Sequence, residues 1–361
     1  VPVTRARLLA APAPRAEWRA LLAADPEALP YQTPGWTDAV VATSGGRDAS
    51  RLYELPSGLR AVLPAVARPG APLARRVGVL SSQPYGWGMG GLVVPARDLD
   101  PADVAAVFAD LAASGGVLTA LRPAPRRAAS YRAAALPGVL RVAHTAHVLD
   151  LAGGFDAVWR DRATGKARRA VRKAEAAGVT VEVDATGRLV PVFDALYRQS
   201  VRRWAEQSHE PLWLARLRSQ RSDPERKFAA VATALGAACR VRVACLAGRP
   251  VAAIITLHSP GHVAYWRGAM DKEAAGPVRA NDLLHRTVIE AAAAEGAGHY
   301  HLGESAPGSG LARFKESLGA EPVAYEGYRL ERLPLTRADA AVRGLVKRAL
   351  RSGDRPAPAP G

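Results

Sequence analysis

The order of apolar periods along this chain predicts a mixed α/β protein, an α+β arrangement of mixed sheets, built as two tandem domains. Three observations carry that expectation. At 361 residues the chain exceeds the roughly 100–200 residues of a usual domain. Both halves interleave segments of period two with segments of helical period. Leu151-Ala152-Gly153-Gly154 reads as the joint between them, giving domains at 1–150 and 151–335 and a terminal segment at 336–361. Hydrophobic residues make up 48% of the chain, enough for a core in each half and too many for global disorder.

In the first domain, 16–24 reads as a short helix, and Tyr31-Gln32-Thr33-Pro34-Gly35-Trp36 as a turn feeding a second. Two alternating strands, 51–55 and 60–67, are joined by Pro56-Ser57-Gly58, which has the composition of a hairpin turn. A glycine-rich loop at 83–91 holds Tyr85 and Trp87. Asp100-Pro101 supplies an N-cap and a first-turn proline for the next helix, before a strand at 117–121, a helix near 127–135 and a strand at 139–149.

The second domain opens with helices expected at 155–161, 163–177, 190–206 and 224–236. Strands follow at 239–247, 251–258 and 262–269, separated by Gly248-Arg249-Pro250 and Ser259-Pro260-Gly261. Asn281 reads as the N-cap of a helix ending at Gly296. Strands near 299–303 and 323–330 flank a short helix at 310–318, and a basic amphipathic helix at 337–351 precedes a Pro-Ala tail.

Cys239 and Cys245 sit in one strand at even spacing and read as core residues; without a CxxC pair or a disulfide framework they fit a reducing, cytoplasmic compartment. No uncharged apolar run reaches the roughly 18 residues that a membrane helix needs. The formal charge of +16 implies either a polyanionic partner or an arginine-rich compositional bias, and bears on association rather than fold. His299 and His301 alternate on one strand face without an evident third ligand, so no metal is expected.

Residues 303–320 (Gly303-Glu304-Ser305-Ala306-Pro307-Gly308-Ser309-Gly310, then Phe314-Lys315 and Gly319) resemble the Fem-like (FemABX) aminoacyltransferases, a branch of the GCN5-related N-acyltransferase superfamily. In that family a strand ending in Gly leads through a small polar loop to a Phe-Lys pair and a Gly. The run Lys166-Ala167-Arg168-Arg169-Ala170-Val171-Arg172-Lys173 before Gly178 is similar to the family's basic helix, and Tyr31 to Trp36 is similar to its aromatic entry. The resemblance implies two tandem acyltransferase-like domains sharing a cleft, with three antiparallel strands, a helix, a strand, a helix and a last strand in the catalytic one. It also implies amide-bond formation, with Lys315 at the donor end and Phe314 as its packing partner.

Acyl transfer to an amine needs a placed neutral amine, a donor facing the developing oxyanion and a proton acceptor. Glu304, just past the strand end, is a candidate to orient or deprotonate the acceptor; capping of the following helix is its alternative role, as solvation of that helix is for Lys315. Further substrate-binding candidates are Ser305, Asn281, Tyr265, Trp266 and Arg267. Strand alternation places Trp266 on one face and Tyr265 with Arg267 on the other. Tyr85 and Trp87 are expected either to face the acceptor across the cleft or to pack internally.

Acetyl-CoA members usually carry a glycine-rich loop whose N–H groups hold the pyrophosphate at a helix N-terminus. Here that stretch, 271–280, contains one glycine, and Pro277 removes a donor. Aminoacyl-tRNA is therefore the expected donor, with acyl-CoA as the alternative and no tightly bound cofactor. Lys166, Arg168, Arg169, Arg172 and Lys173 offer either a phosphate track for tRNA or a solvated face. Relatives acting on cell-wall precursors tend to place a Lys soon after the entry Trp, where this chain has Val40-Val41-Ala42. A small amine or peptide-like acceptor is accordingly expected, and a monomer is compatible with these roles. A non-catalytic nucleic-acid or anion-binding protein is the remaining alternative.

Overall fold

A computed structural model describes residues 5–68, 78–84, 86–134 and 136–332. Tyr85, the helix expected at 337–351 and the Pro-Ala tail lie outside the described residues. Two compact units emerge: one holds the residues up to His144 and those from Val323 on, the other runs Thr145–Pro322.

The first unit comprises β1 (Arg7–Ala10), α1 (Arg15–Ala24), α2 (Pro34–Ser44), β2 (Arg47–Asp48), β3 (Arg51–Glu54), β4 (Arg60–Leu63), β5 (Val66–Arg68), β6 (Val79–Ser81), α3 (Pro101–Ala113), β7 (Leu118–Leu121), α4 (Ala128–Ala133) and the start of β8 (Val139–Asp150). An antiparallel sheet has the order β1-β3-β4, and a second set runs β2-β5-β6-β7 with β6 and β7 parallel. The run expected as one strand at 60–67 is two, because Pro64 has no N–H for a ladder; β4 pairs with β3 and β5 with β2 and β6. Helix starts follow the expected chemistry: Thr33 accepts from Trp36 N before Pro34, and Asp100 from Ala102 N before Pro101.

The aromatic entry segment is a buried knot of this unit. Trp36 Nε1 donates to Gln83 Oε1 at 3.1 Å, Gln83 Nε2 donates to the Tyr31 carbonyl, and Gln32 spans to the carbonyls of Gly91 and Leu92. Each amide satisfies backbone groups of a loop that would otherwise be buried unpaired.

The second unit continues β8 from Thr145 and adds α5 (Gly154–Ala157), a π-turn at Val158–Arg162, α6 (Gly165–Ala176), β9 (Thr180–Asp184), α7 (Val190–Gln207), α8 (Leu212–Ser222), α9 (Glu225–Leu235), β10 (Cys239–Leu246), β11 (Arg249–Ser259), β12 (His262–Met270), α10 (Lys272–Val278), α11 (Ala280–Ala294), β13 (His299–Glu304), α12 (Gly310–Ser317) and the first residues of β14 (Glu321–Glu331). Its strands lie in the order β8-β13-β12-β11-β10-β9. All neighbours are antiparallel except β12 and β13. The three-strand meander, helix, strand and helix expected from the resemblance are present; α8 and α10 are additions to that pattern.

Two irregularities shape this sheet. The parallel register of β12 and β13 covers His262–Ala264 against His299–His301, although both strands run on, so they part beyond it. On the other edge of β13 the register with β8 shifts between His301 and Glu304, where Gly303 takes φ of +73°. A bulge with a left-handed glycine turns the strand end and re-aims the residues after it, here Glu304 and Ser305. One core face, under α6 and α11, gathers Val171, Ile254, Leu284, Val288, Tyr300 and Leu318. A second, aromatic cluster joins Phe193 and Tyr197 of α7, Phe228 of α9 and Trp266 of β12.

Cys239 is buried, whereas Cys245, beyond a register shift at Ala244, is only half-buried, so the two thiols are not equivalent as even spacing suggests. No described helix is long and apolar enough to cross a membrane. Gly319 closes α12 at φ +94°, and a Cβ there would lie 2.8 Å from Arg162 Cβ and 2.9 Å from its carbonyl carbon. Both the left-handed backbone and the close chain exclude a side chain, so Gly319→Ala is expected to cost about 1–3 kcal/mol. Urea unfolding with an unchanged midpoint would contradict this packing.

Candidate active site

Lys315 is one of the fully buried charged groups of the second unit. Ser309 caps α12 by accepting from Ala312 N, and one turn before its end the helix carries Lys315 inward, leaving it 1% exposed. Its Nζ donates to the Glu304 carbonyl at 2.8 Å. Burial pushes the ammonium down to about 7, against the pull of the Glu304 carboxylate. Solvation of α12 is thereby excluded as its role. Phe314 packs edge-on against His285, with ring centroids 5.3 Å apart. Glu304 does not cap α12; Ser309 fills that position.

Around this pair lies a chain of groups, most of which the sequence does not single out. Ser305 Oγ is 3.0 Å from His147 Nδ1, and His147 Nε2 is 3.3 Å from Glu316 Oε1. His147 is fully buried at the end of β8, and burial holds its pKa below the ordinary value despite the opposing Glu316 hydrogen bond. His285 Nδ1 meets Tyr300 Oη at 2.9 Å, and Tyr265 closes on the His285 ring at 5.0 Å. Burial, with Lys315 nearby, pushes His285 down to about 3, so it is neutral. The available signal for His147 is an imidazole inside the apolar run Ala146–Leu149; Glu316 lies within the motif itself.

Several expected site residues are elsewhere. Strand alternation fails at β12, where Ile255 pairs with Arg267 and Thr256 with Tyr265, leaving Trp266 as a bulge. Tyr265 faces α11 alone, while Trp266 and Arg267 both turn to the α7–α9 side. There Asp223 accepts from Arg267 Nη2 at 2.9 Å and Lys227 Nζ at 2.8 Å, and both cations lie over the Trp266 ring. Burial alone would raise the Asp223 carboxyl, but Arg267 and Lys227 more than offset it and hold it well below the carboxylate range. Asn281 is not the N-cap of α11: that helix starts at Ala280 after Arg279 in the left-handed region. Trp87 belongs to the first unit's knot, its ring 5.3 Å from Trp36, and is a packing residue. The first unit also has a surface depression of about 320 Å³, in whose lining Asp48 is engaged by Arg15 and Arg51 by Asp110.

On α6, the buried stripe is Ala167, Ala170, Val171 and Ala174. Arg168 is not part of an outward phosphate track, since its Nη1 donates to the carbonyls of Trp159, Arg160 and Ala163. Lys166, Arg169, Arg172 and Lys173 are exposed, and none pairs with a carboxylate among the described residues. His299 and His301 are joined by His262, whose Nδ1 meets His301 Nε2 at 2.9 Å while its ring stacks on His299.

Residues 160–316 match the family model of the acetyltransferase (GNAT) domain. The crystal structure of FemX superposes with a TM-score of 0.65 at 12% identity, covering 92% of this chain and 99% of that one. Over residues 160–316 the chain is thus similar to an acetyltransferase (GNAT) domain, and its fold is like that of FemX. The C-terminal DUF2156 domain of a protein described as a putative lysylphosphatidylglycerol synthetase from Agrobacterium fabrum superposes at TM-score 0.52 and 13% identity, over 96% of this chain and 100% of that one. A conserved protein of unknown function from Bacteroides thetaiotaomicron does so at 0.54 and 8%, over 88% and 97%. No curated protein matches the chain in sequence.

Within the matched residues the stretch 271–280 is not an open loop. Asp271 caps α10 by accepting from Glu273 N and Ala274 N, and Ala275 N is bonded to the Asp271 carbonyl. Those N–H groups are directed into the helix and its cap.

A lysine that resists protonation when folded is penalised as pH falls from its ordinary 10.5 to about 7, and the penalty is constant below that. Lys315→Met removes the penalty. The stability of the variant relative to wild type should therefore rise between about pH 10 and pH 7, whatever constant offset the lost hydrogen bond adds. Melting temperatures whose difference is flat across this range would refute the buried, depressed ammonium.

Proposed function

We propose that this acyltransferase passes an aminoacyl group from aminoacyl-tRNA to the amine of a small-molecule or peptide-like acceptor, forming an amide bond. The observation that carries the choice of donor is α10. Where acyl-CoA enzymes of the superfamily present free backbone N–H groups to a pyrophosphate, this chain closes them into a capped helix containing Pro277. The exposed cations Lys166, Arg169, Arg172 and Lys173 offer an alternative hold on a polyanion through phosphate contacts. Likeness to the FemX fold supports the same reading.

In this reading Lys315 works from beneath the strand end, fixing the Glu304–Ser305 peptide and supplying positive potential to the carbonyl under attack. The Glu304 carboxylate, partly open to solvent, orients the acceptor amine. The reaction belongs to the cytoplasm, where charged tRNA is made.

Incubation with a pool of charged tRNA and, separately, with an acyl-CoA panel, each with candidate amines, is the direct test. Mass spectrometry should find ribonuclease-sensitive amide formation. Full turnover with an acyl-CoA that ignores ribonuclease would replace the tRNA reading with the acyl-CoA one. Lys315→Ala is expected to lower turnover by about 10²–10³-fold, the usual effect of deleting one positioned donor. Replacing Arg169 and Lys173 together with Ala should reduce the salt slope of tRNA binding by roughly one unit per lost phosphate contact, equally across tRNA sequences. An unchanged slope would return α6 to a solvated face.

A further inference from the structure

Ser305, His147 and Glu316 come from three separate elements of the second unit, the loop after β13, β8 and α12, and meet in one hydrogen-bonded chain. Its polarity follows from chemistry. The Glu316 carboxylate accepts, so the hydrogen on the imidazole sits on Nε2, facing it. His147, kept neutral by burial, then presents a lone pair on Nδ1, and the Ser305 hydroxyl must donate to it. A hydroxyl donating to a base that a carboxylate orients is the arrangement of an activated serine.

The surrounding backbone fixes that hydroxyl. Ser305 N donates to the Thr145 carbonyl at 3.2 Å, two residues from His147 on the same strand, and the Glu304 carbonyl before it is held by Lys315. The Gly303 bulge aims this turn at β8. Ser305 is 6% exposed, which largely excludes bulk water from it. A purely structural serine would not require an imidazole whose far nitrogen reaches out to a carboxylate 44% exposed at the surface.

We propose that Ser305 is a nucleophile and that acyl transfer runs through an acyl-serine intermediate. The proposal rests on the acyl-transfer reading but not on the identity of the donor. Ser305 Oγ attacks the carbonyl of an activated ester, its proton passes to His147 Nδ1, and Glu316 stabilises the imidazolium. Collapse of the tetrahedral intermediate breaks the bond to the donor oxygen or sulfur, which leaves with that proton. The acceptor amine then attacks the serine ester, gives a proton to His147, and the amide departs as Oγ recovers it. Each half-reaction conserves its protons, and no oxidant or reductant is needed.

The test uses the full chain and 4-nitrophenyl acetate, a small activated ester, with no amine present. Wild type should give a stoichiometric burst of nitrophenolate and one acetyl group mapping to Ser305, released by hydroxylamine or an added amine. Ser305→Ala should show neither, and His147→Gln and Glu316→Gln should slow the burst at least tenfold. Ser305→Cys, which keeps size and nucleophilicity, should be labelled as a thioester, and melting curves report whether each variant is folded. Acetylation that maps elsewhere, or an unlabelled Ser305 in wild type, overturns the proposal. So does equal amide formation by wild type and a folded Ser305→Ala in the donor assays. Labelling of Ser305 without turnover from charged tRNA or acyl-CoA upholds the nucleophile and sinks the donor reading, so the two failures are distinguishable.

Discussion

The contact between Lys315 Nζ and the Glu304 carbonyl organises the second unit. An amine buried to 1% exposure needs a polar partner, and a backbone carbonyl at a strand end is one that cannot move away. That bond ties α12 to the end of β13, stops the strand where Gly303 has already bent it, and leaves Glu304 and Ser305 with fixed directions. Gly319, packed on Arg162, closes the helix so that Lys315 stays on its inner face. Phe314 and Lys315 thus act as a pair, the ring seating the helix on the core beside His285 and the amine locking the loop.

The opposite side of the same strands handles buried charge in another way. Asp223 lies between Lys227 and Arg267, with the Trp266 ring beneath both cations, so the charges there are compensated by an anion. Burial lowers Lys227 only to about 8 because Asp223 pulls it back up. Lys315 hydrogen-bonds a neutral carbonyl, the pull of the Glu304 carboxylate is smaller than the cost of burial, and it falls to about 7. A compensated cluster holds α9 and the Trp266 bulge rigid. An amine on a neutral partner keeps two protonation states within reach near neutral pH, as acyl transfer to an amine requires.

What is legible in the sequence follows from how local each signal is. The meander, α11, β13 and α12 are readable because period and turn residues lie within one segment, as Gly296 shows at the end of α11. Lys315, Glu304 and Ser305 are legible through the motif around them. Bulges are not: the apolar alternation of β12 gives no warning that Trp266 is extruded, so alternation puts Arg267 on the wrong face. Asn281 suits an N-cap by residue type alone, whereas α10 before it forces the turn through Arg279. His147 escapes because its partners lie about 160 residues away, beyond any local pattern. Arg168 looks like its neighbours in a basic run, and only the π-turn at Val158–Arg162 gives it carbonyls to bind.

The titratable groups near Lys315 also act on one another. Its charge contributes to lowering both His147 and His285, though burial is the larger cause in each. A proton on Lys315 therefore makes a proton on His147 less favourable, and the reverse holds by linkage. Burial lowers the lysine and both imidazoles and raises the Tyr265 phenol, so it pushes each of them toward its uncharged form. When a proton does arrive, Glu316 stands at the far nitrogen of His147 to balance it, whereas His285 has only the Tyr300 hydroxyl. Of the two imidazoles His147 is thus the one with a carboxylate to balance a proton, and His285 is the one packed among the rings of Tyr265, Tyr300 and Phe314.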